Sequence, residues 1–406
     1  MMNTTEPTPG IAWISQGRLY VRQPDGVVRE IESDFATRSV ERELKHQSGN
    51  AWKGRSGIWG ELGMAPPGMA PWAQGDPRRR IRFVAVMRGD TPDEIFYVMD
   101  MGPVGGLFQY NLTHDEETRL MHSQDFRARD LSRHPVERDL AVSVVRQDGT
   151  MGLTITRHDG LFGRPVTLSD SIDEAPSWLP DGSRRLVFQS SAILRNENGY
   201  ATGSSCCRLE LLDLDGQEIT CVLEDAERDL LQPRQLADES LLYIRRPWKS
   251  SHRQPPTLLE VAKDVFLFPF RLGRTFVYFF NFMSMALSGK PLMSAGGPGE
   301  GEPMKPNRRQ MLMLYGQAVD TQHAMAAGAG KDPHRPLVPK EWQLVHRTKD
   351  GQEDVLAENV LGFDATPNGE IVYTDGRRIF SRSISRSARE LMTGDVIEKV
   401  ALLGMP

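Results

Sequence analysis

The sequence predicts an all-β protein assembled from a repeated unit, and three observations carry that expectation. One turn-and-strand layout recurs along the 406 residues, one hairpin layout recurs between its copies, and the hairpin ends fall at related intervals. A chain of this length exceeds one ordinary compact core, so it forms either several domains or an architecture that grows by adding units.

The first layout is clearest in APSWLPDGSRRLVFQS (175–190), where Trp178 precedes a Pro180-Asp181-Gly182 turn and the apolar run Leu186, Val187, Phe188. APWAQGDPRRRIRF (70–83) repeats it with Pro71, Trp72, a Gly-Asp-Pro turn, Ile81 and Phe83. DLSRHPVERDLAVSVV (130–145) and FDATPNGEIVY (363–373) also place a turn before an alternating apolar run. The second layout is a pair of short strands around an Asp-Gly or longer Gly-containing turn. It appears in GRLYVRQPDGVVREIES, EIFYVMDMGPVGGLFQYNLTH, MGLTITRHDGLFGRPVTLSD, CRLELLDLDGQEITCVLED and WQLVHRTKDGQEDVLAEN. Period-2 alternation around such turns marks β-hairpins, because Gly and Asp tolerate the positive φ the turns require.

The hairpin ends Ile31, Leu112, Leu168, Leu223, Leu356 and Leu391 are 81, 56, 55, 133 and 35 residues apart. Two large insertions and one short copy reduce these gaps to a unit of roughly 45 residues, the size of a four-stranded propeller blade. Six marks predict a six-bladed β-propeller. Its first blade lacks one strand, with candidates only at Ile11 to Ser15, Leu19 to Gln23 and Val27 to Glu32, whereas Val396 to Leu403 is a spare strand. Pairing of this C-terminal strand with the N-terminal blade closes the predicted ring and hides two sheet edges.

The expected organisation is therefore blade 1 in part over 1–33, a loop insertion over 34–69, and blades 2 to 5 in part over 70–250. A Phe-rich, partly helical insertion covers 251–339, and the rest of blade 5, blade 6 and the closing strand cover 340–406. Both insertions leave through connections on one face of a propeller, so both are expected to cover that face.

The strand end rich in Leu and Thr, the acidic loop and the Pro-x-Trp-x-Pro-Asp-Gly run resemble the TolB-type, WD-repeat-like propeller family. The residues that carry the resemblance are NLTHDEE (111–117), VTLSDSIDEAPSWLPDGSRRLVF (166–188) and IFYVMDMG (95–102), specific for blades two to four and loose elsewhere. The resemblance implies a propeller and nothing more: the signal peptide and N-terminal α/β domain of TolB proper are not seen, so its envelope role does not carry over.

Composition narrows the function. A net charge of −5 gives no footprint for nucleic acid. Cys206, Cys207 and Cys221 form neither a disulfide framework nor a zinc spacing and are expected to be small buried or half-buried side chains. The start shows neither a basic region nor an apolar one, which predicts a cytoplasmic protein, with peripheral attachment at the inner membrane as a variant.

That variant rests on TLLEVAKDVFLFPFRLGRTFVYFFNFMSMALSGK (257–290). Thr257 and Glu260 have capping-box spacing. Phe266, Phe268, Phe270, Phe276, Phe279, Phe280 and Phe282 follow, with Met283 beside them and Arg271 and Arg274 near the edges of the apolar face. These ten residues are the candidate partner- or membrane-binding set. Three readings compete: a helix buried on the propeller, a helix docked on a membrane surface or protein partner, and a membrane span, which Pro269, Arg271, Gly273 and Arg274 interrupt. The Gly- and Pro-rich stretches 294–310 and 324–340 read as linkers around one ordered piece, MLMLYGQAV.

Catalytic signals are weak. No Gly-x-Ser-x-Gly elbow occurs, and the nine histidines are scattered without metal-ligand spacing, so no catalytic residue, metal or cofactor is predicted. The acidic runs Asp115 to Glu117 and Asp170 to Glu174 read as solvated turns. The expected function is a propeller scaffold docking on a membrane surface or an integral-membrane protein. The alternative is a propeller enzyme, a lyase or hydrolase, acting on a carbohydrate or small molecule at the channel mouth.

Overall fold

A computed structural model describes residues 8–55, 81–102, 104–124, 126–157, 163–248, 311–314, 317–320 and 335–404. The candidate set from Phe266 to Met283 lies outside these residues. Chain contacts define one unit of residues 1–39, 78–250 and 309–406, and a second of 40–77 and 251–308. Of the second, only residues 40–55 are described.

The chain begins with β1 (Gly10–Ser15), β2 (Arg18–Arg22), β3 (Val28–Ile31) and helix α1 (Asp34–Arg55). It continues with β4 (Arg82–Arg88), β5 (Glu94–Asp100), β6 (Gly105–Asn111) and β7 (Glu116–Ser123). Then come β8 (Ala128–Arg133), β9 (Leu140–Val145), β10 (Met151–Thr156) and the stub β11 (Arg164–Pro165). The next run is β12 (Ser171–Trp178), β13 (Arg185–Arg195), β14 (Ala201–Ser204), β15 (Arg208–Asp213) and β16 (Glu218–Leu223). It is followed by β17 (Arg228–Gln235), β18 (Leu241–Pro247) and the hairpin β19 (Met311–Leu314) and β20 (Gln317–Asp320). The chain ends with β21 (Gln343–Arg347), β22 (Glu353–Ala357), β23 (Gly362–Ala365), β24 (Glu370–Thr374), β25 (Arg378–Ser383), β26 (Arg389–Thr393) and β27 (Ile397–Gly404).

The protein is all-β apart from α1, and its strands join into antiparallel sheets. The orders β27-β1-β2-β3, β4-β5-β6-β7, β17-β18-β21-β22 and β23-β24-β25-β26 are four-stranded. A fifth, larger sheet joins the group β8 to β11 to the group β12, β13, β15 and β16 through one parallel bridge, Met151 to Ile172. The spare C-terminal strand pairs where expected: Ile11 faces Leu402, Trp13 faces Val400 and Ser15 faces Ile397.

The turn-and-strand layout appears at Trp178, the last residue of β12, and at β13, whose Leu186, Val187 and Phe188 are buried. Gly182 between them has φ 76°, a conformation that side-chain-bearing residues adopt at a cost. The Asp181 carboxylate accepts the Ser183 N–H at 2.9 Å and so fixes the same turn. Gly369, at φ 83°, does the same service between β23 and β24. Residues of both faces of β13 are buried because a sheet lies on either side.

Among the described residues six apolar clusters pack sheet on sheet. The first joins Ile14 and Val21 to Phe83 and Tyr97, the second Phe96 and Leu107 to Leu131 and Val142, and a third joins Leu153 and Ala141 to Trp178 and Leu186. Leu209 meets Leu230 and Tyr243, Leu231 and Ile244 meet Phe363 and Ile371, and Val372 and Ile379 meet Ile11 and Trp13. Burying large side chains at about 25 cal/mol per Å² is the main favourable term that holds such sheets together.

Several expectations need correction. The interval 34–69 was expected to be a loop, and its first part is α1. Ser33 caps this helix, its Oγ accepting the Ala36 N–H at 3.1 Å. The carboxylate of Glu117 accepts Ser33 Oγ–H at 2.6 Å and the Phe35 N–H at 2.8 Å. The negative charge sits at the positive end of the helix dipole. Glu117 was read as a solvated turn residue, but it lies on β7. Leu112 is therefore not the end of the outer strand of its sheet, because β7 follows it. Ile81 and Phe83 lead into β4, the first strand of their sheet and not the second. Cys221 is exposed on β16, whereas Cys206 and Cys207 are half-buried.

The long insertion is held at its feet. It leaves after β18 and returns before β21, yet β18 and β21 pair directly, Tyr243 opposite Val345 and Ile244 opposite Leu344. At the exit, Arg246 Nε donates to Asp229 Oδ2 at 2.9 Å, with both side chains 4 % exposed or less. At the return, the Trp342 ring lies 4.6 Å from the same guanidinium. Asp229 also accepts the Cys207 N–H at 2.9 Å, and Leu337 donates its N–H to the Asp375 carbonyl.

Two stability outcomes follow from these packings. Trp178→Ala removes a ring that meets His134 edge-on at 4.7 Å and should destabilise by about 3–5 kcal/mol in chemical denaturation. Asp229→Asn removes the carboxylate charge bonded to the buried Arg246 guanidinium and should cost about 3–5 kcal/mol. A loss under about 1 kcal/mol in either case contradicts the packing described.

Candidate functional site

Two adjoining cavities occupy the space between the first strands of the sheets. The smaller, about 40 Å³, is walled by Ala85 of β4, Asp130 of β8, Ala175 of β12, Gln232 of β17, Gly362 of β23 and Lys399 of β27, among others. The larger, about 150 Å³, is walled by later residues of the same six strands, including Arg88, Arg133, Trp178, Gln235, Asp364 and Leu402. Leu131 and Arg234 belong to both walls. The strands are neighbours in a cycle: β27 lies against β4, β4 against β8, β8 against β12, β12 against β17, β17 against β23 and β23 against β27.

The sequence places charged residues on these strands, and their bonds run from strand to strand. Lys399 Nζ binds the Asp130 carboxylate and donates to the Arg129 carbonyl at 2.7 Å. Arg82 pairs with Glu398 at 3.4 Å, and Arg234 with Asp364 at 3.4 Å. Asp364 Oδ2 accepts the Leu402 N–H at 2.9 Å. Gln189 donates to Glu174 Oε2 at 3.0 Å while its Oε1 accepts the Gln232 N–H at 2.8 Å. Gln232 Oε1 in turn accepts the Phe363 N–H at 3.2 Å.

The backbone of the wall is irregular. Register shifts interrupt the pairing of β4 between Phe83 and Ala85, of β8 between Ala128 and Asp130, of β12 between Glu174 and Ser177 and of β17 between Leu231 and Arg234. Ala175 and Gln232, within two of these bulges, have φ 50° and 52°. Left-handed non-glycine residues cost of order 1 kcal/mol or more and persist where their surroundings hold them. Bulges re-aim side chains, here into the cavity.

Glu174, next to Ala175 of the wall, is a strongly perturbed acid. Burial pushes its carboxyl up to about 7, and the nearby Asp130 carboxylate adds to the rise, against Lys399 and the Gln189 hydrogen bond. Glu398 also lies above the usual carboxylate range, mainly from burial and in spite of Arg82 and Lys399. Asp173, next to Glu174, is buried and accepts Ser190 Oγ–H at 2.8 Å. The run Asp170 to Glu174, expected as a solvated turn, thus enters β12 at Ser171. The acidic composition and the register shift after Glu174 leave no regular alternation that would announce the strand.

His134, next to Arg133 of the wall, is held by structural hydrogen bonds. His134 Nδ1 accepts the N–H groups of Val136 and Glu137 at 3.1 and 2.9 Å, so Nε2 carries the proton and donates to the Ser183 carbonyl at 3.1 Å. Among the described residues no group of three or more His, Cys, Asp or Glu is arranged to hold a metal ion. None of the candidate residues from Phe266 to Met283 lies on the described wall.

The raised Glu174 carboxyl gives a pH signature. Its folded pKa exceeds the ordinary 4.5, so the folded state binds the proton more tightly, and stability falls as pH rises from about 4.5 to about 7. Glu174→Gln removes this slope while keeping an acceptor for Gln189. The variant should gain roughly 1–3 kcal/mol relative to the parent between pH 5 and pH 8 in denaturant titrations. An unchanged difference between the two proteins across that range contradicts the assignment.

No family model matches the chain, and no curated protein matches it either. Among solved structures it is similar to TolB from Acinetobacter baumannii, with 10 % identity and a TM-score of 0.49 over 98 % of this chain and 67 % of that one. It is also similar to a chain of the nidogen/laminin complex, with 7 % identity and a TM-score of 0.47 over 98 % and 99 % of the two chains. A third is the tricorn protease, with 11 % identity and a TM-score of 0.46 over 98 % of this chain and 34 % of that one.

Proposed function

We propose that the chain is a six-bladed TolB-like propeller, closed by β27 in the first blade, that acts as a scaffold and presents the segment 257–290 to a partner. The cycle of first strands around one channel and the six clusters between successive sheets support the ring. The observation that carries the scaffold reading is the clamped base of the insertion. β18 and β21 keep their register across it, and Arg246, Asp229 and Trp342 fix both feet in the core. A sheet built this way tolerates a long excursion without surrendering its own pairing.

The occupant of the excursion is the Phe-rich set Phe266, Phe268, Phe270, Arg271, Arg274, Phe276, Phe279, Phe280, Phe282 and Met283. Aromatic rings with arginines at their edges suit a membrane surface or the exposed part of an integral-membrane protein. The protein would then work at the cytoplasmic side of the inner membrane. Among the described residues no helix is long and apolar enough to cross a membrane. Net charge −5 disfavours nucleic acid as the partner.

A propeller enzyme remains the second reading, favoured by one observation: Asp130, Arg234, Glu398 and Lys399 line one cavity, and the neighbouring Glu174 carboxyl is pushed up to about 7. Asp130 and Lys399 bond to each other and Arg234 bonds to Asp364, which suits a structural seam as well as chemistry.

Replacing 257–306 by a Gly/Ser linker tests the scaffold reading. The shortened protein should keep its β-sheet circular dichroism and a Tm within a few degrees, and should lose flotation with vesicles of phosphatidylethanolamine and phosphatidylglycerol. The triple change Phe276→Ser, Phe279→Ser and Phe280→Ser should do the same. Equal behaviour of parent and variants towards vesicles and membrane extracts, or collapse of the sheets, would remove the support for docking.

A further inference from the structure

The wider end of the channel has features that the scaffold role does not use. Its cavity of about 150 Å³ has room for on the order of ten non-hydrogen atoms. Arg88, Arg133 and Arg234 stand in its wall against a single carboxylate, Asp364. Arg133 is paired with Asp90, but Asp90 is shared with Arg138, so the rim keeps an excess of positive charge. Crowding is felt within the group: burial first, then the charges of Arg88 and Arg138, draw the Arg133 guanidinium below its ordinary range. Arg88 is exposed at the end of β4 and has no partner among the described residues.

A second, independent feature is Ser177. It is 7 % exposed, belongs to the same wall, and its hydroxyl has no hydrogen-bond partner among the described residues. Its hydroxyl is open to the cavity, so a molecule lodged there can bond to it. The bulge between Glu174 and Ser177 is the backbone feature that sets its direction. Leu131 and Trp178 add an apolar surface to the wall.

We propose that this channel mouth binds a small organic carboxylate, its two oxygens held by the Arg88 and Arg133 guanidinia and the Ser177 hydroxyl, and its carbon skeleton laid on Leu131 and Trp178. The planar guanidinium fork matches carboxylate geometry, and the wall already uses the same pairing in Arg234 with Asp364. Inorganic phosphate satisfies the charges but leaves the apolar part of the wall uncovered. The site is independent of the docking segment and stands or falls separately from it.

Isothermal titration of the full chain with acetate, succinate and inorganic phosphate tests it. Succinate should bind saturably with a Kd of about 1 mM or below, and more tightly than phosphate. Arg88→Ala should weaken binding roughly tenfold, Arg88→Lys should restore part of it, and Ser177→Ala should weaken it several-fold, on the scale of one charge-assisted hydrogen bond. Arg18→Ala, a surface change outside the wall, should leave it unaltered. Saturable binding by none of the three anions, tighter binding of phosphate, or affinity indifferent to both Arg88→Ala and Ser177→Ala overturns the proposal.

Discussion

The structure depends on how the first strand of each sheet satisfies its outer edge. Such a strand has a sheet on one side only, and its other N–H groups face the cavities between the sheets. A buried donor without an acceptor costs about 1–3 kcal/mol. The chain meets this with one repeated device: a side-chain oxygen of one sheet accepts a backbone N–H of the next. Ser132 Oγ takes the Trp178 N–H, Gln189 Oε1 takes Gln232, Gln232 Oε1 takes Phe363, and Asp364 Oδ2 takes Leu402. The same bonds that quiet each edge tie neighbouring sheets together, so edge protection and assembly are one interaction.

The bulges follow from that device. A regular strand presents its N–H groups at a spacing that a neighbour inclined to it cannot follow along its whole length. An extra residue at the bulge lets the chain turn one N–H towards the neighbouring sheet, and Gln232 does this with φ 52°. Gln232 donates from its backbone to one sheet and accepts with its side chain from another, so the hydrogen bonds on both sides hold its conformation. Such a wall is rigid where it is bonded and chemically open only where a polar group lacks a partner. That contrast separates Ser177 from Gln189, although both are buried on neighbouring strands.

The strands were legible in the sequence to the extent that turn chemistry and alternation spoke together. Pro180-Asp181-Gly182 before Leu186, Val187 and Phe188 gave β12, its turn and β13, and the spare strand at the C-terminus found its partner at Ile11 to Ser15. Where the two signals parted, the reading slipped. Leu112 follows β6 directly with the same Leu-Thr pattern as the end of an outer strand, and only the polar β7 beyond it, with little apolar content to announce it, shows that the sheet continues. α1 was hidden for a related reason: its caps come from Ser33 next to it and from Glu117 more than eighty residues away, and no local pattern records the second. The channel was illegible because its members are single residues on six strands, brought together only by packing.

The buried ion pair at the base of the insertion shows why specificity and stability need separate arguments. Taking Arg246 and Asp229 out of water costs several kcal/mol for each ion, and an apolar pair of similar volume would hold the sheet as well. What an apolar pair lacks is direction. The Asp229 carboxylate has two bonded positions, one filled by Arg246 and one by the Cys207 N–H, and the guanidinium face has one, filled by Trp342. A chain returning from a long excursion with its ring displaced would leave that face without its aromatic cover, and cation–π attraction is strongest where water is excluded. The charged pair therefore fixes the residue at which the excursion rejoins the sheet, which keeps the register of β18 and β21 insensitive to whatever lies between them.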